Sequence, residues 1–350
     1  SCFFKNGVTM KSIFKPHSVG HLTLKNRFVR SATGESRATS DGILREEVFP
    51  IYENLAGGGV GLIITGHMYV DPEWKCGPRQ TGISDEYHIP GLKRLARVSR
   101  GNGTKVVAQL NSAGRRPDDM TIDEIRDASD RFVAAGIRAR EAGFDGVQIH
   151  AAHGFLLSRF LTPSENHRSD SYGGTAEGRR RLLIEIATGL RRSLEPQFPV
   201  LCKLGTVDGR DNSLPPEESV ATAKALQAAG IDAIEISTTF SGDYAQAAAE
   251  KIDVPEKEAY FSVQARTIKQ SADIPIILVG GLRSMDIMQK VITDGICDMV
   301  SMSRPFIREP DLVNEMEAGR THRSSCVSCN KCYNPDGFRC VHVSGRDREQ

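Results

Sequence analysis

The feature that most constrains this chain is a regular alternation of short β-branched runs with longer amphipathic segments. The runs are rich in Val, Ile and Leu, as strands buried on both faces are. Eight of them occupy residues 28–32, 60–65, 105–110, 146–150, 200–204, 233–237, 276–280 and 299–302. The amphipathic segments occupy residues 43–56, 121–142, 176–193, 216–229, 257–271 and 285–293. Strands that alternate with helices in this way predict an α/β protein, a parallel (β/α)8 TIM barrel.

Local signals agree with this fold. Thr121 and Glu124 form a capping-box pattern ahead of Ile125, and the Ala-Gly pairs at 142–143 and 229–230 are typical helix ends. The alternative is a doubly wound sheet, which needs a glycine-rich turn after its first strand. Residues 31–34 read Ser-Ala-Thr-Gly and do not supply that turn.

The two ends of the chain predict additions to the barrel. Residues 11–27 predict an N-terminal hairpin, formed by Ile13-Phe14 and residues 22–24, which closes the bottom of the barrel. We expect residues 1–320 to form the barrel domain and residues 321–350 to form a Cys-rich extension.

Charge and hydropathy restrict the function classes. The chain has 45 Lys and Arg residues against 44 Asp and Glu residues, so charge predicts no nucleic-acid partner. It has no run of about 18 apolar residues, so we expect no membrane span. The first ten residues lack a basic-then-apolar signal pattern, which predicts a cytoplasmic location.

Polar residues cluster where the predicted strands end. In TIM barrels these ends meet at one mouth, where the working residues lie. Glycines after the seventh strand and Arg304 after the eighth suit a phosphate, because glycine lets backbone N–H groups approach oxygens. The alternative is that the glycines only make a turn. The strand-end residues are Thr33, His67, Gln109, His150, His153, Lys203, Gly280, Gly281, Ser303 and Arg304.

Several longer segments resemble the old yellow enzyme family, the NADH:flavin oxidoreductases and NADH oxidases. The most specific are the His-Ala-Ala-His-Gly stretch that begins at His150 and the Asp-Ser-Tyr-Gly-Gly stretch that begins at Asp170. The resemblance runs from Ile13 to Cys340. The matching segments are 26–33 (NRFVRSAT), 109–115 (QLNSAGR), 148–157 (QIHAAHGFLL), 160–163 (FLTP), 170–174 (DSYGG) and 279–284 (VGGLRS).

The resemblance implies FMN across the barrel mouth, with NADH or NADPH as the hydride donor and a small molecule as substrate. Gln109 would bond the pyrimidine part of the flavin, and Lys203 would place positive charge beside it. Gly280, Gly281, Ser303 and Arg304 would hold the phosphate. Subunits often associate in this family, so a homo-oligomer is one expectation. The implied cofactor-binding residues are Ser31, Ala32, Thr33, Gln109, His150, Lys203, Gly280, Gly281, Ser303 and Arg304.

His150 and His153 are the implied catalytic pair, and they would bind the carbonyl oxygen of an electron-poor alkene. Two donors aimed at that oxygen stabilise the charge that develops when hydride adds to the β-carbon. Taken alone, a histidine pair at a strand end is more often structural. The family has a tyrosine proton donor two positions after the second histidine, but this chain has Phe155, which cannot donate. Tyr69 and Tyr244 are candidate substitutes.

The extension contains Cys326, Cys329, Cys332 and Cys340 within fifteen residues. In a reducing compartment such spacing is typical of a metal site, either a [4Fe–4S] cluster or, less favoured, tetrahedral zinc. Four reduced free thiols are the alternative. The first three cysteines resemble the cluster run of trimethylamine dehydrogenase and, more loosely, that of 2,4-dienoyl-CoA reductase.

Three functions therefore compete, the third being a non-catalytic module for flavin binding or subunit assembly. The first is an ene-reductase that takes hydride from NADH or NADPH and reduces an α,β-unsaturated carbonyl. The second is a dehydrogenase that passes electrons from FMN through a [4Fe–4S] cluster to a partner protein. The histidine pair favours the first function, and Phe155 with the cysteine extension favours the second.

Overall fold

The computed structural model of the protein describes residues 12–207, 214–239, 249–334 and 337–343. The strands in these residues are β1 His17–Val19, β2 Leu22–Leu24, β3 Phe28–Arg30, β4 Leu62–Ile64, β5 Met68–Tyr69, β6 Lys105–Asn111, β7 Gly146–Ala151, β8 Val200–Val207, β9 Ala233–Thr238, β10 Ile276–Leu278 and β11 Met299–Met302. The α-helices are α1 Phe49–Gly57, α2 Ile89–Val98, α3 Ile122–Glu141, α4 Leu156–Leu161, α5 Ala176–Ser193, α6 Pro216–Ala228, α7 Ser262–Lys269, α8 Met285–Thr293, α9 Arg304–Arg308 and α10 Leu312–Glu317.

Eight of the described strands close into a parallel barrel. Their order is β4-β3-β11-β10-β9-β8-β7-β6, and β4 pairs again with β6 to complete the ring. The two-residue strand β5 pairs with the far end of β6. The predicted TIM barrel is confirmed, and each predicted strand overlaps an observed one.

The barrel interior has an apolar lower layer and a polar upper layer. Successive side chains of a strand alternate between its two faces, so every second residue points inward. Leu201 of β8 and Ala233 of β9 lie in the lower layer, in one cluster with Val107, Ile277 and Met299. Two residues further along the same strands come Lys203 and Glu235, both buried. The strand alternation therefore carries polar side chains up to the mouth.

The N-terminal hairpin closes the bottom of the barrel, as predicted, but its first strand lies later in the chain. Residues 13 and 14 form a turn, and β1 pairs antiparallel with β2 in the register Val19↔Leu22. The tight turn at Gly20, with φ +54°, fixes this register, because a two-residue hairpin loop must have its strands directly on either side. Val19 and Leu24 then fill the lower end of the apolar layer.

The helices differ from their predicted bounds mainly at their N-termini. Helix α1 begins at Phe49 rather than at residue 43, because Pro50 favours the first turn of a helix. Helix α7 begins at Ser262 rather than at residue 257. Helices α2, α4, α9 and α10 were not predicted. None of the helices in the described residues combines the length and apolar character that crossing a membrane requires.

The predicted capping box at the start of α3 is present. Thr121 Oγ1 accepts a hydrogen bond from the Glu124 backbone N–H at 3.2 Å, and Glu124 Oε2 accepts one from the Thr121 N–H at 2.7 Å. We expect Thr121→Ala to lower the free energy of unfolding by about 1 kcal/mol, because the Glu124 backbone N–H then loses its side-chain acceptor. Urea denaturation would measure this change, with Thr121→Ser as the control that keeps the cap. Equal stability of the two variants would contradict the prediction.

Candidate active site

A cavity of about 530 Å³ opens at the C-terminal ends of the barrel strands. It lies directly above the polar layer, and part of the Cys-rich extension forms one wall of it. The structure brings together around this cavity all the residues that the sequence assigned to the flavin and carbonyl sites. They are Ser31, Ala32, Thr33, Gln109, His150, His153, Lys203, Gly280, Gly281, Ser303 and Arg304.

A buried ion pair forms the floor of the cavity. Lys203 Nζ lies 3.3 Å from Glu235 Oε2, and the two side chains are 3% and 0% exposed. Lys203 Nζ also donates to Ser31 Oγ at 2.8 Å, and Ser31 Oγ donates to Glu235 Oε1 at 2.7 Å. Ser301 Oγ donates to the same carboxylate oxygen at 2.8 Å. The carboxylate therefore fixes the ammonium group at one point of the floor.

Two glutamines extend this network across the floor. Gln109 Nε2 donates to Gln148 Oε1 at 2.6 Å, and Gln148 Nε2 donates to Glu235 Oε2 at 3.1 Å. These bonds fix the orientation of the Gln109 amide. Its Oε1 is buried and has no hydrogen-bond partner among the described residues. An unsatisfied buried acceptor costs about 1–3 kcal/mol, so this oxygen is suited to a ligand N–H.

His150 and His153 stand together on one wall. Their ring centroids are 4.9 Å apart and their planes are nearly perpendicular, at 87°. His153 lies just after β7 in the left-handed region, with φ +61°, and its Nε2 is 2.7 Å from Ser237 Oγ. Burial lowers the pKa of both imidazoles well below the ordinary value, and the charge of Lys203 lowers them further. Both rings are therefore neutral at pH 7, and each keeps one N–H to donate.

Gly280 and Gly281 form a cradle at the opposite end of the cavity. Their φ angles are +127° and +71°, which side chains rarely adopt. A Cβ atom on Gly281 would lie 3.0 Å from the Tyr260 ring. The backbone of these two residues is therefore accessible from the cavity because neither residue has a side chain. Thr33 Oγ1 and Ser303 Oγ, 2.6 Å apart, add hydroxyl groups beside this cradle.

Arg304 lines the same end but already has protein partners. Its Nη1 donates to the Ala249 carbonyl at 2.8 Å and to Asn330 Oδ1 at 2.6 Å. The guanidinium group thus joins the barrel to the Cys-rich extension and still places a positive charge at the cradle. A guanidinium has five N–H donors, so these two bonds leave others for an anion.

The comparison with known sequences decides the family. A sequence model of the NADH:flavin oxidoreductase / NADH oxidase family matches residues 12–119 and 115–323. The chain belongs to this family.

Known members of this flavin oxidoreductase family differ in how much of their length the chain matches. The NADPH dehydrogenase of Bacillus subtilis (strain 168) is 30% identical over 322 residues, which are 86% of this chain and 92% of that protein. The NADH oxidase of Thermoanaerobacter brockii is 29% identical over 91% of this chain, which spans only 53% of that protein. The solved 2-naphthoyl-CoA reductase complex superposes with a TM-score of 0.83 at 25% identity, and the match covers 93% of this chain and 54% of that one.

The flavin of this oxidoreductase family fits the chemistry of the cavity. Gln109 offers an unpartnered buried oxygen, Lys203 offers a fixed positive charge, and the cradle at Gly280 and Gly281 would be filled by any Cβ. Together these groups match an electron-poor ring with imide N–H groups and an anionic tail. FMN with NADH or NADPH is the cofactor set that the family implies.

The four cysteines of the extension do not form the predicted metal site. In residues 326–334 and 337–343, as in the rest of the described chain, no three His, Cys, Asp or Glu side chains are arranged to hold a metal ion. Cys329 Sγ lies 3.4 Å from His342 Nε2, whereas Cys340 Sγ accepts from Arg308 Nη1 at 3.5 Å. Cys326 and Cys332 are buried. Cys329 and Cys340 therefore each have a protein partner, and the described residues do not show the predicted metal site.

One of the two candidate proton donors, Tyr69, does not line the cavity. Tyr69 is fully buried outside the cavity wall, and its hydroxyl donates to the Asp41 carbonyl at 2.7 Å. That bond holds a loop. Tyr244 lies outside the described residues. Phe155 packs behind His150, with ring centroids 4.9 Å apart, and does not line the cavity.

Glu235 is the main site residue that the sequence prediction missed. It lies inside a strand that otherwise reads as apolar, Ala233–Thr238. The strand's period of two gives the missing signal, because Ala233, Glu235 and Ser237 share the inward face. A carboxylate at such a position needs a buried cation, and Lys203 lies at the matching register of the neighbouring strand.

Proposed function

We propose that this protein is an FMN-dependent ene-reductase that takes hydride from NADH or NADPH and reduces a C=C bond conjugated to a carbonyl. The observation that carries the proposal is the pair of neutral, buried imidazoles, His150 and His153, on the cavity wall. Bound FMN supplies the hydride, which is chemistry that no side chain can provide. The protein's own residues position the substrate and stabilise its charge.

The histidine pair is suited to activating a carbonyl group, because neutral imidazoles can donate hydrogen bonds to its oxygen without carrying a charge. Neutral imidazoles do not bind an anionic ground state tightly, but their N–H groups stabilise the negative charge that develops on the carbonyl oxygen. His150 Nδ1 has no hydrogen-bond partner among the described residues, so it is available to a ligand. Ser237 holds the His153 ring in place through its Nε2.

The floor of the cavity favours flavin reduction. Lys203 would help to hold the flavin, and its buried positive charge would favour the reduced, negatively charged form of that cofactor. Glu235 keeps this ammonium from moving, since it is held at 3.3 Å by the carboxylate and at 2.8 Å by Ser31 Oγ. Gln109 would orient the ring through its free Oε1.

The test begins with flavin content. We expect purified protein to hold about one FMN per chain and to bleach near ~450 nm with NADH or NADPH under anaerobic conditions. Adding 2-cyclohexenone should then restore the oxidised spectrum and yield cyclohexanone. Protein that binds FMN but is reoxidised by no enone would sink the ene-reductase proposal and leave the family assignment intact.

The second candidate is a dehydrogenase that passes electrons through a [4Fe–4S] cluster to a partner protein. It is favoured by the position of the extension, because Ser328, Tyr333 and Asn334 form part of the cavity wall. Iron and acid-labile sulfide analysis of anaerobically purified protein distinguishes the two candidates.

A further inference from the structure

The Cys-rich extension is fastened to the cavity by two buried arginines at the cradle end. Arg283 lies on the loop after β10 and Arg304 begins α9, and both line the cavity. Each guanidinium group bridges residues 249–252 to the extension. Arg283 donates to the carbonyl oxygens of Ile252 and Ser324, and Arg304 donates to the Ala249 carbonyl and to Asn330 Oδ1.

Asn330 presents its side-chain oxygen to Arg304 from a well-fixed position. A guanidinium group only donates hydrogen bonds, so the amide atom that lies 2.6 Å from Arg304 Nη1 must be Oδ1. The backbone of Asn330 is left-handed, with φ +57°, a conformation that asparagine tolerates better than most residues. Its carbonyl accepts the Tyr333 N–H at 3.1 Å, and the Ser328 carbonyl nearby accepts the Lys251 N–H at 3.2 Å. These backbone bonds hold the side-chain oxygen in place.

The two oxygens that hold Arg304 are both uncharged. A carboxylate would compensate the charge of the guanidinium group, whereas a carbonyl and an amide oxygen fix its orientation and leave its charge in place. Asn330 is buried behind Arg304 and is not among the residues that line the cavity. The charge of Arg304 therefore remains available to an anion at the cradle of Gly280 and Gly281.

We propose that Asn330 is a positioning residue for the flavin phosphate: it holds the Arg304 guanidinium at the cradle without neutralising it, so the extension serves to retain FMN. The inference rests on the FMN site of the proposed function and not on the reduction of an alkene. Asn330 acts through Arg304 and does not itself contact the phosphate. Its effect should therefore discriminate FMN from riboflavin, which has the same ring system but no phosphate.

Titration of flavin-free protein with FMN and with riboflavin separates phosphate binding from ring binding, and flavin fluorescence measures both dissociation constants. We expect Asn330→Ala to raise the Kd of FMN by on the order of 10-fold, as is typical when a hydrogen bond to a charged group is lost. The Kd of riboflavin should not change. Arg304→Met should raise the Kd of FMN further, and adding Asn330→Ala to it should have no additional effect, because the two residues act as one unit.

The variant Asn330→Asp separates positioning from a purely structural role. Aspartate keeps an oxygen for Arg304 and tolerates the left-handed backbone, but its negative charge compensates that of the guanidinium group. We expect Asn330→Asp to resist urea as well as the parent does, to bind FMN on the order of 10-fold more weakly and to bind riboflavin unchanged. A residue that only fastened the extension would give unchanged or tighter FMN binding in this variant.

Asn102 provides a matched control. It has nearly the same left-handed backbone, with φ +56°, but it lies in a turn before β6, away from the cavity wall. Asn102→Ala therefore introduces the same backbone strain without touching Arg304, and both flavin affinities should equal those of the parent. Circular dichroism of each flavin-free variant checks folding independently of flavin binding.

The outcomes distinguish this inference from the function on which it rests. Protein that binds neither flavin overturns the FMN site and the inference with it. Parent protein that binds FMN and riboflavin equally tightly has no phosphate site at the cradle, which also overturns the inference. A parent that prefers FMN, with an Asn330→Ala variant that loses affinity for both flavins alike or for neither, overturns the role of Asn330 alone. None of these results depends on whether an enone reoxidises the flavin.

Discussion

Replacing Glu235 with alanine is expected to lower the free energy of unfolding by about 3–5 kcal/mol, because it leaves Lys203 buried with an uncompensated charge. The pair is almost completely enclosed, with exposures of 3% and 0%. Ser31 and Ser301 would also lose the carboxylate oxygen that both hydroxyls share. Urea denaturation monitored by circular dichroism would measure the change in flavin-free protein.

Two controls separate the buried charge from a general effect of losing an acidic residue. Asp253→Ala removes the carboxylate of an exposed pair with Lys257 and should cost less than about 1 kcal/mol. The double variant Glu235→Leu with Lys203→Met removes both buried charges and should recover much of the lost stability. A single Glu235→Ala variant no less stable than Asp253→Ala would show that Lys203 can reach water or another partner.

The barrel was predictable because its strands obey one simple rule. Strands buried on both faces are rich in Val, Ile and Leu, and six of the eight runs contain at least two of these residues. Helix α2 was not predicted because Pro90 and Gly91 at its start are typical of a turn. In the structure, Pro90 lies in the first turn of the helix, where proline is favoured. The first strand of the hairpin was predicted four residues too early in the sequence. Ile13 and Phe14 are apolar because they pack against the core, not because they belong to a strand.

The candidate site was predictable only where strand ends determine it. His150 pairs directly with Lys203 on the neighbouring strand, and Gln109 pairs with Gln148, two residues before His150, so the topology brings these residues together. Ser328 and Tyr333 reach the same cavity from the extension, and no periodic pattern in sequence reveals that path. The cysteine spacing suggested a shared metal, but spacing does not determine where each Sγ points.

The substitution with the largest expected effect on catalysis is at the histidine pair. We expect His150→Ala and His153→Ala each to slow flavin reoxidation by 2-cyclohexenone by on the order of 10²–10³-fold, which is typical for loss of one donor to a developing oxyanion. Reoxidation of the same reduced enzyme by ferricyanide should be unchanged, because that acceptor has no carbonyl to bind. Stopped-flow absorbance of the flavin measures both reactions.

The conservative variant His153→Asn makes this prediction specific to hydrogen bonding. Asparagine offers an N–H donor and tolerates the left-handed backbone, φ +61°, at this position, whereas alanine removes the donor and is strained there. We therefore expect His153→Asn to retain most of the cyclohexenone rate. If asparagine and alanine were equally slow, the ring itself would matter rather than its N–H, and if both were as fast as the parent, the substrate oxygen would be bound elsewhere. Either result would remove the electrostatic argument on which the proposed function depends.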